Sequence, residues 1–300
     1  MQNIIHKEHR LAGQGAILLC AILWSTSGLF IKLVDWHPMP IAGSRSILAA
    51  GVLLALRGIS QAKKKRAGAS TEKLISDDMP KLAAFGLCYT ATMILFVIAN
   101  KLTASANAIL LQYTAPMWAA LLGWLVLRER PRWEHWGAIV MVSAGMFLVF
   151  SGGLARGSFF GDMTALVSGI TFAANSVVLR LRKDGNPADI LIFSHIICAV
   201  ICVPFFFLYP PSFTVDNLVK IFFMGVFQIG AASALFAYGI KRVPAVQAML
   251  TAAIEPVLNP VWVLLITGEK PTLTVITGGS LIIAAIVFSS IIRSTSRRRN

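Results

Sequence analysis

Residues 103–129 read TASANAILLQYTAPMWAALLGWLVLRE, a long apolar run broken by a single proline, Pro116. Residues 243–269 read VPAVQAMLTAAIEPVLNPVWVLLITGE and match that run without a gap, residue 243 standing against residue 103. Ala108 falls on Ala248, Leu110 on Leu250, Pro116 on Pro256, Leu125 on Leu265 and Glu129 on Glu269. The match continues through Pro131 and Pro271, and runs back through Leu95, Phe96 and Lys101 onto Leu235, Phe236 and Lys241. A shared proline inside an apolar helix and a shared acid–base–proline exit point to a duplicated unit.

The composition places that unit in a membrane. The 300 residues are 56% hydrophobic and 13% charged, whereas soluble domains carry about 25% charge. The apolar residues come in runs of about 20, enough to cross a hydrocarbon core as a helix. The net charge of +14 does not point to nucleic acid, because the basic residues sit in short segments between apolar runs, where positive charge sets topology. Cys20, Cys88, Cys198 and Cys202 all fall inside apolar runs without metal-ligand spacing, so buried thiols are expected. Lys7 and Arg10 precede an apolar run that continues to about Val34 with no small-residue cleavage site, which reads as a retained first helix.

The chain divides into ten spans, at about 13–34, 40–56, 82–100, 104–127, 133–150, 160–181, 188–208, 218–240, 245–267 and 273–292. A basic cytoplasmic loop, 57–81, holds Lys63, Lys64, Lys65, Arg66 and Lys73, and Ser151-Gly152-Gly153 marks a turn between the halves. Of the 27 Lys and Arg residues, 21 lie in the N-terminus, the C-terminus and the alternate segments on their side, and 4 in the opposite segments. Lys32 and Arg45 lie within the first two spans. That asymmetry places both termini in the cytoplasm and requires an even number of spans. Five spans per half is an odd number, so the second half enters from the opposite side. The expected fold is an all-α integral membrane protein with ten transmembrane helices in two inverted five-helix repeats, 13–150 and 160–292. Two similar halves facing opposite ways suit alternating access.

These features resemble the drug/metabolite transporter superfamily, and within it the EamA-type ten-helix carriers built from two five-helix repeats. The residues that carry the resemblance are Trp24, Arg45, Asn107-Ala108 leading to Pro116 and Glu129, Gly161 and Phe172, and Glu255-Pro256 leading to Gly268-Glu269. It covers about residues 13–292. It implies a secondary transporter that needs no cofactor, in a family whose members move amino acids, other metabolites, cations and drugs, often outward. One departure is Phe172, where the family usually has tryptophan, so a substrate contact at that position does not carry over.

Glu255 is the sharpest chemical signal, a carboxylate roughly halfway along the ninth span beside Pro256. A charge there costs at least ~2.5 kcal/mol even on insertion scales. Its repeat mate is Ala115, so symmetry does not require it. It pairs with a substrate cation, couples transport to protons, or serves as a hydrogen-bonded carboxyl that tidies the break made by Pro256. That proline lacks the N–H that would meet the carbonyl of residue 252. Free backbone at membrane depth survives only inside protein or along a cavity, so Glu255 is expected to face a cavity on each reading.

Ala252, Glu255, Asn259 and Trp262 share one helical face. Asn107, Thr114 and Trp118 do so on the fourth helix, and Tyr89, Met93, Phe96 and Asn100 on the third. Gln112 and Tyr113 point elsewhere unless the Pro116 kink turns them inward. Trp24, Tyr89, Tyr113, Trp118 and Trp262 are deep enough for the cavity, while Trp36, Trp133 and Trp136 are candidates for the interfacial belt. Arg45 either snorkels to the outer surface or meets a carboxylate or anion near the external gate. Asn175 and Gln228 are membrane amides of the kind that bond neighbouring helices. Glu129 and Glu269 brace the helix 4–5 and 9–10 hairpins.

The function these residues point to is a transporter in a bacterial-type inner membrane. It moves small metabolites, amino acids or related amphipathic or cationic compounds; export is the direction that the family resemblance implies, since direction itself is not written in the residues. Its partners are the substrate, the bilayer and, on one reading, protons. An importer of a cationic metabolite such as a quaternary amine, coupled to protons through Glu255, is the alternative. An intramembrane enzyme would need paired acids or histidine–metal groups, and His6, His9, His37, His135 and His195 show no ligand spacing. A channel would need a carbonyl filter or a charge ring.

Overall fold

Backbone amides in hydrocarbon have no water to bond, so an apolar chain must close its hydrogen bonds within each segment. The computed structural model describes residues 2–68, 70, 79–103, 105–151, 158–181, 186–267 and 273–296, and within them there is helix and no strand. In order these are α1 (Gln2–Trp24), α2 (Ser27–Leu33), α3 (Pro38–Arg66), α4 (Met79–Leu102), α5 (Ser105–Gln112), α6 (Ala115–Leu127), α7 (Trp133–Ser151), α8 (Phe159–Leu181), α9 (Pro187–Leu208), α10 (Val215–Phe223), a π-helical stretch (Met224–Ala231), α11 (Ala232–Ile240), α12 (Ala245–Ala252), α13 (Glu255–Thr267) and α14 (Leu273–Ser296). They group into ten units, with α1/α2, α5/α6, α10 to α11, and α12/α13 each forming one interrupted unit. Among the described residues, seven stretches from Glu8–Leu33 to Val215–Ile240 are long and apolar enough to cross a membrane. Large apolar side chains along these units, such as Leu125, Val140, Phe147 and Phe207, face outward, as lipid rather than water demands.

The packing is symmetric under exchange of the first five units with the last five. α3 packs on α9, α7 on α14, and α6 on α12, each pair being its own mate. The contact of α4 with α8 is mirrored by that of α11 with α1, and the contact of α4 with α9 by that of the π stretch with α3. Small residues let these helices approach. A Cβ added at Gly225 would lie 2.5 Å from Leu48 Cβ, and one at Gly230 2.9 Å from Val52 Cβ, so the π stretch lies directly against α3.

Some expectations need correction. Lys63, Lys64, Lys65 and Arg66 form the last turn of α3 rather than a loop. Lysine and arginine are good helix formers and suit the negative end of the helix dipole. The first span is not continuous, because α1 stops at Trp24 and α2 starts at Ser27. Ser25 Oγ donates to the Ile22 carbonyl at 2.6 Å and Thr26 Oγ1 to the Leu23 carbonyl at 3.1 Å, which compete with the helix's own bonding. Trp36 is not an interfacial residue. It is 6% exposed and donates Nε1 to the Ser212 carbonyl at 2.8 Å, tying the end of the first unit to the loop before α10. Trp133, 66% exposed, and Trp136 do face outward.

Candidate functional site

The two copies of the opening stretch break at equivalent points: α5 ends at Gln112 and α6 starts at Ala115, while α12 ends at Ala252 and α13 starts at Glu255. Pro116 and Pro256 are the second residues of the resumed helices, where a missing N–H is tolerated. The carbonyl of Ala252 is taken by Tyr113 Oη at 2.7 Å. The same hydroxyl lies 2.7 Å from Glu255 Oε2. Tyr113 sits in the gap of the fourth unit, so the two breaks meet across the molecule. A phenol has one proton to give. An ionised Glu255 and the Ala252 carbonyl compete for that proton, whereas a protonated carboxyl donates to Tyr113 Oη and frees Tyr113 to donate to Ala252.

Glu255 is only 5% exposed and lines a narrow cavity of about 30 Å³. Tyr89, Met93 and Phe96 from α4 form one wall, as their spacing predicts. Trp24 and Phe172 stand edge-to-face at 5.5 Å, and Trp24 also packs on Phe236 at 5.3 Å. Gln112 reaches the cavity from the end of α5 and donates to Ser168 Oγ at 2.9 Å. Tyr89 Oη lies 3.2 Å from Ser233 Oγ, and His195 contacts Ser233 and Ser46 at 3.4 and 3.5 Å. Among the described residues no group of acids, histidines and cysteines could hold a metal.

Arg45 does not snorkel. Its side chain is 3% exposed, lines the cavity and donates Nη2 to Gln228 Oε1 at 3.1 Å. Gln228 Nε2 in turn donates to Thr26 Oγ1 at 2.9 Å, at the break in the first unit. Gln228 lies in the π stretch, a geometry that often marks functional positions.

The remaining candidates lie elsewhere. Trp262 donates to Ser25 Oγ at 2.7 Å, so it braces the first-unit break instead of lining the cavity. Trp118 turns back to Thr114 Oγ1 at 3.3 Å. Asn107 lies near Thr103 and Asp162 toward the start of α8. Asn175 is fully buried in α8 away from the cavity. The Asn259 side chain and Glu269 lie outside the described residues. Ser27, Thr92 and Ile229 line the cavity but carry no sequence signal beyond small size or helical register.

A clasp stands at each end of the bundle. At one, Arg180 Nε pairs with Glu129 Oε1 at 3.1 Å, and Nη1 donates to the carbonyls of Ile240 and Lys241 at 3.2 and 2.9 Å. Glu129 therefore ties the end of the fourth unit to the sixth, and Arg180 ties the sixth to the eighth. At the other, Lys32, the repeat mate of Arg180, donates to the Thr103 carbonyl at 2.9 Å, and Lys101 donates to that of Val34 at 2.7 Å. His37, just outside its span, stacks on Tyr209 at 3.9 Å, and its partial desolvation lowers its pKa.

The Tyr113 bridge makes a stability prediction. Tyr113→Phe strips a donor from a buried carbonyl, a loss of about 1–3 kcal/mol. Pro256→Ala restores the N–H that a continuous helix would donate to that carbonyl. In the Pro256→Ala background, Tyr113→Phe should therefore cost less, as read by denaturation of the purified proteins. Equal costs in the two backgrounds would show that the bridge does not serve the proline break.

The EamA-like transporter family matches residues 11–151 and, a second time, residues 159–291. The uncharacterized transporter YwfM of Bacillus subtilis (strain 168) is 27% identical over 80% of each chain. An uncharacterized transporter of Archaeoglobus fulgidus is 25% identical over 92% of this chain and 96% of its own. Human solute carrier family 35 member G1 is 25% identical over 57% of this chain and 48% of its own. A solved crystal structure covers 95% of this chain and 98% of its own with a TM-score of 0.77 at 19% identity, a likeness of fold.

Proposed function

Because the chain belongs to the EamA-like transporter family, we propose that it is a secondary carrier for amino acids or related amphipathic, cationic metabolites, working by alternating access and serving export. The observation that carries the reading is Glu255, a buried carboxylate on a cavity walled by Trp24, Tyr89, Phe96 and Phe172, with no lysine or arginine paired to it among the described residues. An unpaired acid among aromatic faces suits a substrate cation. Residues 13–150 and 160–292 act as two inverted repeats with the substrate between them, both termini in the cytoplasm of a bacterial-type inner membrane. The 21-to-4 charge asymmetry supports that orientation. So does the gathering of Glu129, Arg130, Arg132, Arg180 and the start of α12 around one space at one end of the bundle. The clasps at Arg180 and Lys32 then serve as repeat-related gates.

A second reading, proton-coupled uptake of a cationic metabolite, is favoured by Tyr113 Oη standing between two acceptors, an arrangement that a protonated Glu255 completes. The test is counterflow in proteoliposomes with labelled amino acids, polyamines, quaternary amines and nucleosides. A cationic or zwitterionic compound is expected to move fastest, and a purely anionic one doing so would overturn the reading. Vesicles of the two orientations distinguish export from uptake.

A further inference from the structure

We propose that Arg45 is the receptor for a carboxylate on the substrate, so that the ligand of the central cavity is a zwitterion whose ammonium faces Glu255. This rests on the carrier reading above and narrows it.

A guanidinium in a membrane interior is costly and is normally paired with an acid. Arg45 is 3% exposed, and among the described residues no carboxylate pairs with it. Its bonded partner is the neutral amide of Gln228, and its Nε is buried with no partner at all. A second buried donor on the same cavity, the indole Nε1 of Trp24, is also without a partner. Leaving a buried charge uncompensated costs several kcal/mol unless something else meets it.

The surroundings hold the guanidinium in place without neutralising it. Gln228 is turned toward it from the π stretch and has its own N–H₂ engaged by Thr26. Gly225 and Gly230 bring that stretch close against α3, the helix that carries Arg45. The orientation is thus set by three elements, while the fork that would accept a planar oxyanion is left open.

Arg45 and Glu255 line one cavity and do not pair with each other. Two opposite charges whose role was only structural would gain most by neutralising one another. Held apart in a shared cavity, they complement a molecule that carries opposite charges at a distance. The aromatic side chains that line the same cavity, Trp24, Tyr89, Phe96 and Phe172, favour an apolar or aromatic body on that molecule.

The test uses matched sets in proteoliposomes of the full-length protein: L-phenylalanine, its methyl ester and phenethylamine; L-leucine, its methyl ester and isoamylamine; L-lysine, its methyl ester and cadaverine. Within each set the ammonium and side chain persist and only the carboxylate is lost. Wild-type protein is expected to take at least one acid about 100-fold better than its ester and amine, because a site built to bond a polar group rejects analogues lacking it. Arg45→Gln should lower transport of that acid by about the same factor and transport of the amine far less, with Arg45→Lys between. Wild-type protein that treats acid, ester and amine alike overturns the proposal without any variant. So does an Arg45→Gln protein, monodisperse and correctly melting, that loses all three equally. If quaternary amines or nucleosides move and none of the acids does, the Arg45 assignment fails while the carrier reading stands. If nothing in either panel moves, both fail.

Discussion

Purified Glu255→Gln protein in liposomes should transport about 100-fold more slowly than wild type, since truncating one partner of a desolvated charge pair costs roughly 2–5 kcal/mol and about 1.4 kcal/mol is tenfold. The substitution keeps the shape of the side chain and an oxygen within reach of Tyr113, now 2.7 Å from Oε2. It also removes an ionisable group from the membrane interior, so the melting temperature should hold or rise. Any dependence of the wild-type rate on pH that comes from this carboxyl should flatten. Transport at the wild-type rate with the wild-type pH profile would assign Glu255 to bracing the Pro256 break alone. A lost rate with an unchanged pH profile would assign it to the substrate cation and exclude proton coupling.

The second large effect is expected at Gly169 on α8. A Cβ added there would lie 2.6 Å from the carbonyl oxygen of Gln112 and 3.1 Å from its Cα. Those are backbone atoms at the last residue of α5, beside the break that presents Tyr113. They cannot rotate away as a side-chain tip would. In an open helix, Gly to Ala gains about 1 kcal/mol in propensity, but overpacking a close contact costs about 1–3 kcal/mol. Gly169→Val should therefore melt lower and, by shifting Gln112 and Tyr113, lose transport as well. Gly51→Ala in α3, where an added Cβ meets nothing within 4 Å, should leave transport unchanged and hold or raise the melting temperature. Equal behaviour of the two variants would show that the α5–α8 contact is not tight in the membrane.

The periodic and compositional features were legible because each depends on a run of residues averaged over many positions. The ten spans follow from apolar length, and the paired breaks at residues 113–114 and 253–254 follow from Pro116 and Pro256. The stripe Tyr89, Met93 and Phe96 follows from helical spacing, and all three line the cavity. Other features depend on single contacts between distant residues. The break at Ser25–Thr26 has no proline to announce it, and it is held by Trp262 and Gln228, both more than 200 residues away in the chain. Trp36 has the spacing of a membrane-edge residue, yet it is buried because the loop at Ser212 folds over it. The depth of Arg45 in its span leaves snorkelling open, and the partner Gln228 on the π stretch closes it.

By itself, then, the chain determined that it is helical, that it crosses a membrane, that it is built on one unit used twice, and that Glu255 is the acid its symmetry does not require. Those properties come from the cost of exposed backbone and charge in hydrocarbon, which acts locally and reads directly in order and composition. The tertiary structure decided which side chains meet: Tyr113 across the molecule onto Ala252 and Glu255, Gln228 onto Arg45, and Trp262 onto Ser25. Helical register says which residues share a face, but the rotation of each helix about its axis is set by packing against neighbours distant in sequence. The opening stretch thus announces its proline break in the sequence, and only the packed bundle shows that the break sets a phenol against the carboxylate of the opposite repeat.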